Sequence, residues 1–321
     1  MFAYIVRRVI QGIGVALLVS FLCFFLFQYV GDPVLTMVGK NATPKQMEEV
    51  RSILGLDKPF YIQYLTFVKN AFRGDFGRSY TNDLPVFGLI VERAPATIEL
   101  ATFAMLIATF FGIGLGVVVS LNRAAVLSRL VMAGSLLGIS LPTFLIGLLF
   151  IMIFAVNLQV LPVFGRGDII KIGFWRTGLL TLSGIKHLIL PAFTLGMYQM
   201  ALIIRLTRAE VSEVLEEDYV RTAWAKGLPS RIVIFKHALR NSLIPVVTMI
   251  GLGLGEVIAF ATITETIFQW PGMCRLFLSS IYGSDYPVIV AYIVLMAFVI
   301  LLINLAVDIF YTVLNPKIQY D

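Results

Sequence analysis

Charge is scarce in this chain of 321 residues. Asp, Glu, Lys and Arg together make up 14% of it, against 59% hydrophobic residues and a mean hydropathy of +0.90. A soluble domain is about half apolar and about a quarter charged. The apolar excess is more than one globular core can hide, so composition excludes a soluble domain and points to a polytopic helical membrane protein. Cysteine is almost absent. Cys23 lies in an apolar run, so it and Cys274 read as small unpaired hydrophobes and not as a disulfide framework. The two histidines, His187 and His237, are too few and too separated for a His-based metal site.

Catalytic signatures are missing as well. No GxxxxGK[ST] phosphate loop occurs; the Gly39-Lys40 pair lacks both the earlier glycine and the following Ser or Thr. There is no HExxH, no paired CxxC and no GxSxG. The acids Glu216, Glu217 and Asp218 read as helix-start residues on a solvated face rather than a catalytic pair. Nothing supports covalent or hydrolytic chemistry. The chain is expected to be non-catalytic, without metal or cofactor of its own, and to move something rather than convert it. The net charge of +6 does not require nucleic acid, because membrane proteins place basic residues in cytoplasmic loops.

What is present is a series of apolar runs. A span needs about 20 mostly apolar residues, and six candidates qualify: 9–30, 97–121, 131–156, 188–204, 243–267 and 287–314. The first follows Arg7 and Arg8 but is too long for a signal-peptide core and lacks a small-x-small cleavage site, so it reads as a retained anchor behind an interfacial segment, 1–8. Placing both termini in the cytoplasm puts twelve Lys and Arg inside, against five in the short outer loops. The loop 31–96 is then an extracytoplasmic domain. In it, Thr43-Pro44-Lys45-Gln46 has the form of a capped helix start, with Met47, Val50 and Leu54 following at helical spacing and Gly55 to close. Tyr61, Tyr64, Leu65, Val68 and Phe72 repeat the pattern. Two short amphipathic helices follow from this, serving either as a structural cap or as a docking surface.

Small residues mark the spans. Gly112, Gly114 and Gly116 in the second, and Gly251, Gly253 and Gly255 in the fifth, allow close helix packing or line a pathway. Pro142 and Pro191 are candidate kinks. Glu256 lies near the middle of the fifth span, where a carboxylate costs ~2.5–3.5 kcal/mol or more unless it meets a cavity or a partner. It is the best candidate for a pathway residue, with Gly253, Gly255 and Pro142 beside it. Glu99, Glu265 and Asp308 sit nearer span ends and read as interfacial or paired.

The inner loop 205–241 has the most regular pattern. Glu217 and Asp218 start a helix, with Val220, Ala223, Trp224 and Gly227 along one side. Gly227 can close it in the left-handed conformation, Pro229 follows, and Ser230 is placed to cap a second helix through Ile232, Phe235, Ala238 and Leu239 into the fifth span. Arg221, Lys226, Arg231, Lys236 and Arg240 make this loop basic.

The motif Arg221-Thr222-Ala223-Trp224-Ala225-Lys226-Gly227, followed by His237-Ala238-Leu239-Arg240-Asn241, resembles the EAA loop of ATP-binding-cassette importer permeases. Arg-Thr-Ala stands for Glu-Ala-Ala and His-Ala-Leu-Arg for I-x-L-P, as in the peptide and nickel subfamily. Further motifs extend the likeness along nearly the whole chain: Gly31-Asp32-Pro33, Gly74-Asp75-Phe76-Gly77-Arg78-Ser79, Arg93-Ala94-Pro95-Ala96-Thr97, His187-Leu188-Ile189-Leu190-Pro191, Trp270-Pro271-Gly272-Met273, Asp285-Tyr286-Pro287 and Asn315-Pro316-Lys317-Ile318. The chain is similar to the first permease subunit of dipeptide and oligopeptide importers. It departs from the pattern at Cys274, where glycine is expected, and at Ser284, where arginine is expected.

The resemblance implies an all-α type I importer permease with six spans, its five-span core over 97–314, a coupling loop at 205–241 and a cytoplasmic tail at 315–321. It implies a prokaryotic inner (plasma) membrane, surrounding lipid, a second homologous permease, two ATPase subunits that bind ATP and Mg, and an external solute-binding protein. Arg221, Thr222, Ala223, Ala225, Lys226 and Gly227 would contact an ATPase. Asp75, Phe76, Arg78, Trp270 and Pro271 are candidates for docking the binding protein. Cargo would be di- or oligopeptides, with nickel chelates, glutathione or other small solutes as alternatives. An ion-gradient-driven secondary transporter and a scaffold or receptor are the readings from other classes.

Overall fold

A computed structural model describes residues 2–29, 34, 38, 43–53, 55–122 and 124–314. The Gly31-Asp32-Pro33 and Asn315-Pro316-Lys317-Ile318 motifs, Gly39, Lys40, Leu54 and Arg123 lie outside the described residues. The helices are α1 (Phe2–Tyr29), α2 (Pro44–Ile53), α3 (Phe60–Ala71), α4 (Val86–Leu121), α5 (Val126–Ser140) and α6 (Thr143–Phe150, continued by wider turns over Ile151–Asn157). A hairpin of β1 (Ile170–Ile172) and β2 (Trp175–Thr177) comes next. It is followed by α7 (Leu182–Val214), α8 (Asp218–Ala225), α9 (Ser230–Ile267), α10 (Met273–Tyr282) and α11 (Tyr286–Leu314). Five of these helices are long and apolar enough to cross a membrane, or six spans if α5 and α6 count as one.

That pair covers the third candidate run as a bent unit and not as one straight helix. α5 and α6 meet at 116° across Leu141 and Pro142. Pro142 lacks an N–H and restricts the residue before it to extended backbone; Leu141 has ψ 135°. The run therefore breaks where its hydropathy does not. Pro191 lies inside continuous α7, as Pro95 and Pro245 do in α4 and α9. A second difference is the hairpin, which adds a small antiparallel element to an otherwise helical chain. Its register pairs Ile170 with Thr177 and Ile172 with Trp175 around Gly173, whose φ is +61°.

The described residues divide into two compact units, one of those up to Pro95 with Pro271–Leu305, the other of Ala96–Trp270 with Ala306–Leu314. In the first, α3 packs on α1 through aromatic rings. Phe24 meets Phe67 at 4.9 Å and Phe21 meets Tyr64 at 5.4 Å between centroids, while the Tyr64 hydroxyl donates to the Leu17 carbonyl at 2.8 Å. The half-buried face of α3 towards α1 is thus Tyr64 and Phe67; Tyr61, Leu65 and Phe72 of the predicted pattern remain exposed. The α2 start is the predicted reciprocal cap, with Thr43 N–H donating to Gln46 Oε1 at 2.9 Å, and Gly55 takes φ +67° after the helix. Asp285, fully buried, accepts from the Ser79 hydroxyl, from Tyr80 N–H at 2.9 Å and from the Thr81 hydroxyl at 2.8 Å, tying residues 79–81 to the start of α11. Burial, with the charge of Asp285 next and that of Tyr286 after it, pushes the Tyr80 phenol up to about 12. Neither cysteine is in a disulfide and both are buried; Cys274 Sγ lies 3.1 Å from the Tyr292 hydroxyl.

The second unit is built around α7, which packs against α5, α6 and α9. Glycines set the closest approaches. A Cβ on Gly112 would come within 2.6 Å of Ile203, one on Gly116 within 2.6 Å of Thr207, and one on Gly196 within 2.5 Å of the Ala104 carbonyl. Gly112 and Gly116 are therefore packing residues of the α4–α7 contact.

Candidate coupling helix and pathway carboxylate

The segment between α7 and α9 folds as helix, glycine turn, helix. α8 closes with a two-bond C-cap: Gly227 N–H donates to the Trp224 carbonyl at 2.9 Å and Leu228 N–H to that of Ala223 at 3.4 Å. The pair requires a left-handed residue, and Gly227 supplies it with φ +74°. Leu228 then packs against the cluster of Val220, Ala223 and Val233, flanked by Val214 and Leu215. Tyr219 adds a polar latch, its hydroxyl accepting from Asn241 Nδ2 at 2.8 Å. Pro229 occupies the position before the next helix and no side chain caps it, so Ser230 is the first helical residue and not the expected cap.

Packing separates the predicted coupling residues. Arg221, Thr222, Ala225, Lys226 and Gly227 are exposed, whereas Ala223 is 6% exposed and holds α8 onto the start of α9. Ala223 is thus a fold residue, and its expected surface role is corrected. Trp224, placed by the helical spacing on the same side as Val220 and Ala223, is 43% exposed and adds a large aromatic face to the surface of α8. Its position next to the buried Ala223 is the signal that the helical pattern carried and the motif reading missed.

The predicted docking residues also divide. Asp75 and Arg78 are exposed and Pro271 is partly so. Phe76 is buried against the Phe87 ring, and Trp270 is 1% exposed with its Nε1–H donating to the Ala96 carbonyl at 2.9 Å. Loop aromatics read as surface anchors are here internal posts, because each finds an apolar wall within its own unit.

Three acidic residues near span ends differ in burial and in the partners that meet them. Glu99, 4% exposed, pairs with Arg166 at 2.5 Å and accepts from Trp175 Nε1 at 3.1 Å. Arg166 also donates to the Arg176 carbonyl at 2.6 Å and lies 5.8 Å from the Trp270 ring centre. This clasp fixes the hairpin to α4. Glu265, fully buried, accepts from the Thr97 hydroxyl at 2.6 Å. Asp308 is half-buried.

Glu256 differs, because it stays exposed on α9. The buried Gln199 of α7 donates through Nε2 to Glu256 Oε2 at 2.9 Å, and Gly253 leaves room for that amide: a Cβ there would lie 2.9 Å from Gln199 Oε1. Gly255 is buried and Pro142 exposed. No group of three His, Cys, Asp or Glu side chains suited to a metal ion occurs among the described residues.

A helical chain with five to six apolar spans, an exposed knob and no nucleotide-binding loop matches a known family along its length. Residues 112–320 fit the model described as binding-protein-dependent transport system inner membrane component, and residues 1–101 fit its N-terminal companion. The chain belongs to this family. It is similar to the di/tripeptide transport system permease protein DppB of Pseudomonas aeruginosa, at 43% identity with all of both chains covered. It is 39% identical to the glutathione transport system permease protein GsiC of Escherichia coli K12, again with both chains covered completely. Among solved structures, a chain from the MetNI methionine ABC transporter in inward facing conformations aligns with TM-score 0.57, covering 71% of this chain and 96% of that one at 16% identity. The fold is that of a type I importer permease. As a family member, the chain is a multi-pass inner membrane component of a transport system.

Proposed function

We propose that this chain forms half of the translocation pathway of an ATP-driven importer of di- and tripeptides. A second, similar permease completes the pathway, two ATPase subunits bind ATP and Mg, and an external binding protein delivers the cargo. The observation that carries this is the exposed face of α8. Arg221, Thr222, Trp224, Ala225 and Lys226 stand out on a helix whose other side is locked to α9 by Val220, Ala223 and Val233. A rigid knob with a solvated aromatic and two cations suits insertion into a cleft of a moving partner, and a locked element transmits motion as a two-state switch. Closure of the ATPases on ATP then drives α8, and through α9 the pathway opens to the other side.

In this reading both termini and the 205–241 loop are cytoplasmic. Loop 31–96 and the hairpin lie outside, where the exposed Asp75 and Arg78 and the partly exposed Pro271 are available to the binding protein. Peptide is the favoured cargo because a relative named for di- and tripeptides is 43% identical over the whole chain. The full-length relative named for glutathione makes that tripeptide a second reading. Deleting the gene for this chain should abolish accumulation of a labelled dipeptide, with re-expression restoring it. If accumulation of labelled glutathione depends on this gene and that of labelled dipeptide does not, the cargo is glutathione. Unchanged accumulation of both would refute peptide import.

A further inference from the structure

Glu256 sits where a helix exposes a stripe otherwise made of apolar side chains. Leu252, Phe260 and Ile263 of α9 are 51%, 66% and 45% exposed and recur with Glu256 at helical spacing. From Glu256 to the helix end at Ile267 the rise is about 16 Å, roughly half of a ~30 Å hydrocarbon core. Lipid alone is a poor neighbour for a carboxylate at that depth. Among the described residues no basic side chain pairs with it, and the Gln199 amide is its hydrogen-bond partner.

That amide is built in. Gln199 is 3% exposed, and it is accommodated by the missing Cβ of Gly253 one turn before Glu256. A neutral amide orients a carboxylate without cancelling its charge. The arrangement therefore presents a fixed anionic acceptor on an open face, the complement of a cationic donor.

We propose that the Glu256 carboxylate, oriented by Gln199, receives the cationic group of the passing cargo, the α-ammonium of a peptide. The proposal rests on the importer reading and adds to it a named binding group within the pathway. Every unblocked peptide carries that ammonium, so the site is indifferent to side chains while rejecting purely anionic solutes. Gly253 and Gln199 act as positioning residues.

The test uses the whole complex in proteoliposomes with saturating binding protein and a labelled dipeptide with neutral side chains. Glu256→Gln should lower ATP-dependent uptake at least tenfold. Glu256→Cys should be similarly impaired, recover on modification by a sulfonate-bearing methanethiosulfonate and stay impaired with the trimethylammonium analogue. Cys23 and Cys274 are buried, so the unmodified chain serves as the reagent control. Recovery with the sulfonate also proves that the variant is folded and that the site is reached from water. Uptake by Glu256→Gln equal to that of the unmodified chain, or the same response to both reagents, overturns the proposal. Absence of ATP-dependent uptake by the unmodified complex would instead overturn the importer reading beneath it.

Discussion

At the scale of single residues, buried charge is matched and exposed charge is displayed. Removing one member of a buried ion pair leaves the other stranded, at about 3–5 kcal/mol. Glu99→Gln should therefore lower the thermal midpoint of the detergent-solubilised chain sharply, since it strands Arg166 beneath Trp270; an unshifted midpoint would show that the clasp contributes little. Tyr80 gives a pH signature. Its phenol is held neutral to about 12 against an ordinary value of 10, so its contribution is complete below pH 10 and is lost as pH rises through about 12. Stability measured across that window should fall more for the unmodified chain than for Tyr80→Phe, and parallel curves would contradict the assignment. Glu256 was legible in the sequence because a lone acid interrupts an apolar run. Its partner Gln199 was not, since 57 residues separate them, and neither was the match of Glu99 with Arg166 across 67. Such pairings are set by packing and leave no local pattern.

At the scale of elements, α8 and its turn were the most legible feature, because glycine and proline punctuate it and its apolar spacing is helical. What the pattern left open was which side is covered. Three substitutions separate the sides. Ala223→Leu overpacks the Val220–Val233 contact, at about 1–3 kcal/mol, and should reduce the amount of folded chain. Trp224→Ala leaves that contact alone and should weaken co-purification of the ATPase subunits while keeping the chain's own stability. Gly227→Ala meets no atom within 4 Å, so its cost is left-handed backbone strain of about 1–2 kcal/mol; the complex should assemble and lose transport. Normal transport by Gly227→Ala, or ATPase binding untouched by Trp224→Ala, would contradict the coupling role. The hairpin escaped the sequence reading because its strands are three residues long with no strong turn dipeptide. Pro142 marked the break between α5 and α6 as a candidate kink but not its size, because hydropathy runs unbroken through Leu141 and Pro142.

At the scale of the whole molecule, the chain is a multi-pass membrane component whose sequence holds no GxxxxGK[ST] phosphate loop. Motifs spread from the Gly-Asp-Phe-Gly run before α4 to the Asp-Tyr-Pro run at the start of α11 made the family legible, since their order constrains far more than any one of them. Cargo was less legible, because the candidate pathway residues include one carboxylate, Glu256, and little else that discriminates between solutes. The most direct measurement of the central claim is labelled dipeptide uptake into proteoliposomes holding the complete complex, with the energy source varied. The account predicts uptake that requires both ATP and the binding protein and persists when ion gradients are collapsed. Uptake driven by a proton or sodium gradient without ATP would contradict it.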